Sequence, residues 1–150
     1  MLVGLIADTH GLIREEALRA LDGADIIFHA GDVGRAAVLD ALAAIAPIHA
    51  VLGNTDVPDG TLPASISREL EGVRLHVSHG HEIGRPTPEA LAARYGGDVI
   101  VYGHTHRPLI QMVGTVLVIN PGAAGPPRFN LKPSVALLSL PSREARLIPL

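Results

Sequence analysis

Five times along this chain a short apolar run ends and is followed at once by aspartate, asparagine or histidine. Leu2 to Ala7 leads into Asp8-Thr9-His10, and Ala24 to Ala30 into Gly31-Asp32. Ile48 to Gly53 leads into Asn54-Thr55-Asp56, Val73 to Ser78 into His79-Gly80-His81, and Asp98 to Gly103 into His104-Thr105-His106. Apolar runs this short, bounded by glycine, read as buried strands. Between the first three lie helical patterns. Residues 14–22 put Ala17, Leu18 and Leu21 on one face; residues 35–46 repeat Val38, Leu39, Leu42 and Ile45 and stop at Pro47. The order β-α-β-α-β predicts parallel strands with helical crossovers. Ligands of open α/β sheets bind beyond the carboxyl ends of the strands, so five such ends can address one place.

The second half is richer in strands. Val73 to His79 alternates, and Thr87-Pro88-Glu89 reads as a helix start with a Thr N-cap and Pro at the first helical position. After Gly103 come "LIQMV", "TVLVIN", "SVALLSL" and "EARLIPL", which predict a mostly antiparallel run. Val57–Ala64 and Pro121–Pro133, rich in Pro and Gly, read as ordered loops at the mouth of a site. The 150 residues suit one domain, residues 1–150.

Composition narrows the chemistry. With no cysteine, disulfides and thiolates are excluded, and a metal must use His, Asp, Glu, Asn or water. A net charge of -3 gives no support to a nucleic-acid surface. "MLVGLIADTH" lacks a basic start and meets a charge at Asp8, so it is not read as a signal peptide. No apolar run approaches the ~20 residues of a membrane span. A cytoplasmic location is the expectation.

Imidazole together with carboxylate favours Mn, Fe, Zn, Ni or Co over Ca. Two ions about 3.5–4 Å apart need a bridging oxygen ligand, for which Asp32 at a central strand end is suited. Residues two apart point the same way in extended chain, so Asp8/His10 and His104/His106 each read as a pair gripping the site from one strand end. Such a pair of ions suits phosphoester hydrolysis. A lone histidine after a strand is more often a structural hydrogen-bonder; the set of four, each beside other ligand types at strand ends, argues for metal. Asp8 and Asp32 have a competing use as helix N-caps, and Asn54 and Asp56 as an Asx turn.

"DTH", "GD", "GNTD", "HG" and "GHTH", in this order and spacing, resemble the calcineurin-like metallophosphoesterases. With the ending "INPGAAGPPR", they make the chain similar to the small YfcE-like bacterial and archaeal phosphodiesterases. The resemblance implies a four-layer α-β-β-α sandwich of class α/β (α+β): two packed mixed β-sheets flanked by helices. It implies a dinuclear site, with Asp8, His10 and His106 on one metal and Asn54, His79 and His104 on the other. Asp32 would bridge them, together with a water or hydroxide that acts as nucleophile. Two divalent ions per chain are expected, manganese first, with Ni, Co, Fe or Zn able to use the same ligands. The resemblance also allows a homodimer.

Many members of the wider superfamily place a histidine directly after the asparagine; here that position is Thr55, which can bond a phosphate oxygen but cannot deliver a proton near pH 7. Asp32, Asn54, His104 and Thr55 are therefore the residues expected to meet the reaction, on small diesters with good leaving groups. Arg107 and Arg128 are the cationic candidates for holding phosphate. His29 is expected to be buried near Asp32, His49 and His76 to be plain strand residues, His81 to lie beside the site, and Asp56 to support it. The competing function is a protein-interaction scaffold on the same fold, as in the retromer subunit that resembles this family.

Overall fold

The computed structural model describes residues 1–150. In chain order the elements are β1 (Leu2–Ile6), α1 (Glu15–Leu21), β2 (Ile26–His29), α2 (Ala36–Ala43), β3 (Ile48–Ala50), β4 (Ser65–Leu70) and β5 (Val73–Ser78). A short 3₁₀ turn (His81–Ile83), α3 (Pro88–Tyr95), β6 (Val99–Val101), β7 (Leu109–Val113), β8 (Val116–Asn120), β9 (Ser134–Ser139) and β10 (Glu144–Pro149) complete it. The strands form two sheets of five, ordered β10-β9-β1-β2-β3 and β4-β5-β6-β8-β7. β1, β2 and β3 are parallel neighbours, as the crossovers require.

The central strands are apolar throughout because both of their faces are covered. In β1, Val3 and Leu5 point between the sheets, where they meet Phe28, Leu75, Val77, Val101 and Ile119 in a core of 17 buried residues. Ile6, one position out of phase, points the other way, into a second cluster with Ala17 and Leu21 of α1 and Val38 and Leu42 of α2. On the far face of the other sheet, Leu91 of α3 packs with Ile100, Tyr102 and Val118. The layers are thus helix, sheet, sheet, helix, the architecture that the resemblance implies. α3 starts as expected: the Thr87 hydroxyl accepts from the Ala90 amide at 3.1 Å, with Pro88 at the first turn. Such a cap is worth ~1 kcal/mol. No helix is long and apolar enough to cross a membrane.

Two points refine the sequence reading. The final strands pair mostly antiparallel, as expected, but across two sheets rather than as one run. β7–β8 is a hairpin at the edge of one sheet, with β8 parallel to β6, while β9–β10 returns to the other sheet beside β1. Tertiary pairing decides this, because a hairpin pattern does not specify which sheet it joins; β9 ends beside β1, covered on both faces. The second point is β4. "SISREL" carries too few apolar residues to read as a strand, but its alternate residues Ile66 and Leu70 pack on the inter-sheet core. Glu71 and Gly72, at φ 51° and 76°, supply the tight turn that joins it to β5.

Candidate metal centre

All five strand ends converge. β1, β2 and β3 bring Asp8, Asp32 and Asn54 from one sheet; β5 and β6 bring His79, His104 and His106 from the other. The segments are laced to each other. The Asp8 and His10 amides donate to the Gly31 and Asp32 carbonyls, and the Gly103 amide to the His79 carbonyl. The His104 amide donates to Asp8 Oδ2 at 3.1 Å, and the Thr55 amide to Asp32 Oδ1 at 2.9 Å.

Each of these bonds uses one oxygen of a carboxylate and leaves the other facing inward. Asp8 Oδ1 is buried and has no hydrogen-bond partner. Around it stand the Nε2 atoms of His106 at 3.5 Å, His79 at 3.8 Å and His10 at 4.0 Å. Asp32 Oδ2 lies 3.3 Å from His79 Nε2 and 3.7 Å from His10 Nε2. Asn54 Oδ1 lies 2.9 Å from His79 Nε2 and 3.1 Å from His104 Nδ1. His10 and His106 face each other at 3.5 Å. Seven side chains therefore aim donor atoms at one another. His106 falls with Asp8 and His10, and His104 with Asn54 and His79; Asp8 also reaches His79, and Asp32 lies near both His10 and His79. Metal–ligand bonds of about 2.0–2.2 Å put adjacent donor atoms roughly 3–3.5 Å apart. Most of these separations fall at or slightly above that spacing, so the donor set suits divalent ions.

The electrostatics agree. Burial pushes the Asp8 carboxyl up to about 7, with His79 opposing and Asp32 adding to the rise. Burial also works on Asp32, but the bonds from His79 and the Thr55 amide hold it well below the usual carboxylate range. Burial, aided by Arg128, takes His106 down to about 4. It lowers His10 and His104 as well, leaving neutral imidazoles with a lone pair to offer. His79 goes the other way: burial opposes its proton, but Asp32 and Asp8 outweigh burial. Its Nδ1–H donates to the Ala30 carbonyl at 2.7 Å, so Nε2 is the nitrogen that faces the carboxylates.

The backbone corrects one expectation. Asp8, His10, His104 and His106 are not in extended chain. Their φ values are 53°, 47°, 70° and 60°, and Asp32 is at 55°. Left-handed backbone is uncommon outside glycine and is enriched at functional sites. Here it turns the chain sharply at the strand end, so that both members of each pair face the same centre. The competing N-cap reading also fails, because the residues that cap α1 and α2 are Arg14 and Arg35.

The other candidates divide. Asp56 supports the loop: its carboxylate accepts from the amides of Gly53, Val33 and Gly34. His81 lies against the cluster, its ring 5.3 Å from His79 and 6.2 Å from His104. Thr55 is exposed. Arg107 stacks its guanidinium over Phe129 at 5.6 Å. His49 stacks on Phe28, and His76 on Tyr95. Asn120, within the "INPGAAGPPR" stretch, has a supporting role: its buried amide donates to the Gly103 carbonyl and the Thr105 hydroxyl, bracing the His104–His106 turn. Arg14, which the sequence did not single out, donates to the Ala124 and Gly125 carbonyls and ties the Pro/Gly loop to the site. A polar residue at a strand end beside "PG" is the signal for Asn120; nothing local marks Arg14.

His29 is fully buried, but its partner is Thr9 rather than Asp32. Its Nδ1 accepts from the Gly31 amide, its Nε2 bonds the Thr9 hydroxyl at 2.9 Å, and that hydroxyl reaches the Val33 carbonyl at 2.8 Å. Burial lowers its pKa from 6.5 to about 3. Between those values the unfolded chain binds a proton that the folded chain does not, so His29 weakens the fold as pH falls below 6.5. His29→Gln is expected to remove it. In urea unfolding of metal-free protein between pH 6 and 4, the native slope of stability against pH should exceed that of the variant by up to about 1.4 kcal/mol per pH unit. Equal slopes would show that His29 titrates normally.

A double-sheet sandwich with a carboxylate–imidazole cluster at its strand ends belongs among the metal-dependent hydrolases. More narrowly, the calcineurin-like phosphoesterase superfamily domain matches residues 1–143, and this chain belongs to that family of phosphoric ester hydrolases. A probable metallophosphoesterase of Methanocaldococcus jannaschii is 35% identical over 161 residues, covering 100% of this chain and 82% of its own. The phosphodiesterase YfcE of Escherichia coli is 41% identical over 69 residues, 46% of this chain and 36% of its own. Wild-type Vps29 of Entamoeba histolytica, solved with Zn²⁺, has a TM-score of 0.84 at 27% identity, covering 98% of this chain and 90% of its own.

Proposed function

We propose that this chain is a phosphodiesterase that acts on small phosphodiesters in the cytoplasm. Its metal set is two divalent ions, with manganese preferred, held by Asp8, His10, Asp32, Asn54, His79, His104 and His106. The observation that carries this reading is the orphaned oxygen of Asp8. A buried carboxylate oxygen with no hydrogen bond, ringed by three imidazole nitrogens at 3.5–4.0 Å, is the donor set of a divalent cation. Bound there, divalent ions would supply Lewis acidity toward phosphoryl oxygens and lower the pKa of water.

The residues divide the remaining work. Asp32, 3.7 Å from His10 on one side and 3.3 Å from His79 on the other, would be shared between the two histidine groups. His79 is fixed by its bond to Ala30, so its ring plane is set before any substrate arrives. Arg128 lies close enough to lower the pKa of Asp8, His10 and His106, and its charge favours an anionic ester at the mouth. Thr55, with its amide on Asp32, offers a hydroxyl for hydrogen bonding to phosphate but no proton donor near pH 7. The leaving group therefore departs largely unaided, which favours esters of acidic alcohols such as phenols.

The test is metal analysis of the purified protein alongside hydrolysis of bis(4-nitrophenyl) phosphate with added manganese. About two ions per chain and manganese-dependent turnover are expected. The similarity to Vps29 favours a second reading, a protein-interaction scaffold with weak catalysis. Full metal occupancy without turnover of any phosphoester in a broad screen would favour the scaffold.

A further inference from the structure

The protein has only two Phe and two Tyr, and they are used very differently. Phe28 is fully buried, Tyr102 is 3% exposed, and Tyr95 lies against His76. Phe129 is 70% exposed. Leaving a phenylalanine in water forgoes stabilisation that burial would provide, so its setting needs another explanation. Both Phe129 and Asn130 have left-handed backbone, at φ 55° and 57°. For a bulky residue that conformation is strained and persists only where the surroundings impose it.

The loop that carries it starts beside the candidate metal centre. The loop that carries Phe129 is pinned beside Asp8, because the Ala124 and Gly125 amides donate to the Ala7 and Asp8 carbonyls at 2.9 and 3.1 Å. Arg14 holds the same two residues by their carbonyls. On the other side, Arg107 directly follows His106 and lays its guanidinium on the Phe129 ring at 5.6 Å. Arg128 directly precedes Phe129 in the same loop. An exposed aromatic ring therefore stands on the loop beside the candidate site, with Arg107 on one face and Arg128 next to it in the chain. A phosphodiester with a planar aromatic group matches this arrangement: the charge suits the arginines, and the ring suits Phe129. Stacking on such a platform discriminates by ring rather than by hydrogen-bond pattern.

We propose that Phe129, held by Arg107, is a specificity platform that stacks the aromatic group of the substrate, so that the chain prefers aryl or nucleoside phosphodiesters over alkyl ones. This rests on the phosphodiesterase reading above. The probes are two monoanions that cannot be hydrolysed, methylphenylphosphinate and ethylmethylphosphinate. Their binding to the manganese-loaded protein is measured by calorimetry. The native protein is expected to bind the phenyl compound about tenfold more tightly. In Phe129→Ala that preference should collapse to near unity with ethyl binding unchanged, and Phe129→Tyr should retain it. In parallel, kcat/KM for bis(4-nitrophenyl) phosphate relative to ethyl 4-nitrophenyl phosphate should fall in Phe129→Ala. Both substrates expel the same phenolate, so the ratio reports the group that stays. Equal native affinity for the two phosphinates, or a preference that survives in Phe129→Ala, overturns the platform and leaves the phosphodiesterase reading standing. Absence of both binding and hydrolysis overturns that reading, and the platform with it. With Phe129 this exposed, the alanine variant should fold as the native chain does, which circular dichroism checks.

Discussion

Asp32→Ala, stripped with a chelator and re-supplied with manganese, is expected to hydrolyse bis(4-nitrophenyl) phosphate more than about 100-fold more slowly than the native protein. Loss of a residue that merely orients a metal ligand costs 10–100-fold, and Asp32 stands closer to the centre than that. Its Oδ2 lies 3.3 Å from His79 and 3.7 Å from His10, and its Oδ1 takes the Thr55 amide. Removing it leaves His79 with one carboxylate neighbour instead of two and frees the loop that carries Asn54. His106→Ala should lose activity to a similar degree, since His106 contributes the nitrogen nearest to Asp8 Oδ1. Metal analysis should show reduced occupancy in both. Near-native turnover in both variants would sink the assignment of a metal-dependent reaction to this cluster.

Gly53→Ala is the second large effect, and it needs no change to any donor residue. A Cβ at Gly53 would overlap both the amide and the carboxylate of Asp32. Backbone lies on one side of that clash, so it cannot be relieved by a rotamer change alone. Overpacking of this kind costs ~1–3 kcal/mol, and here the group displaced is Asp32 itself. The expected result is a lower urea midpoint together with weakened manganese binding by calorimetry. Gly23→Ala, where a Cβ meets nothing within 4 Å, is the control for loss of a glycine; its φ of 87° makes it strained, but away from the site. Unchanged manganese affinity in Gly53→Ala would show that the Asp32 loop shifts freely.

Much of this could be read from the chain. Strands that are apolar throughout announce two covered faces, and the crossover helices carry clear 3.6-residue periodicity, so β1 to β3 were readable. β4 was not, because an edge strand with one dry face shows only Ile66 and Leu70 to the core and polar residues elsewhere. The pairing of the last four strands was hidden for a related reason. A hairpin pattern states that two strands are neighbours but not which sheet they join.

The candidate centre divides along the same line. The sequence by itself determined which donor types are available and that they follow strand ends, because residue identity and hydrophobic pattern are local properties. Only the tertiary structure decided that the ends of two different sheets meet, and that Asp8 keeps an oxygen without a partner. It also decided that left-handed turns at Asp8, His10, Asp32, His104 and His106 aim the side chains at one another. Those properties depend on contacts between segments as distant as Asp8 and His106, and on backbone torsions that non-glycine residues adopt only when surrounding structure holds them there. Phe129 belongs to the second kind. In the sequence it is one apolar residue in a Pro/Gly loop; in the fold it is an exposed ring against Arg107, the residue that follows His106.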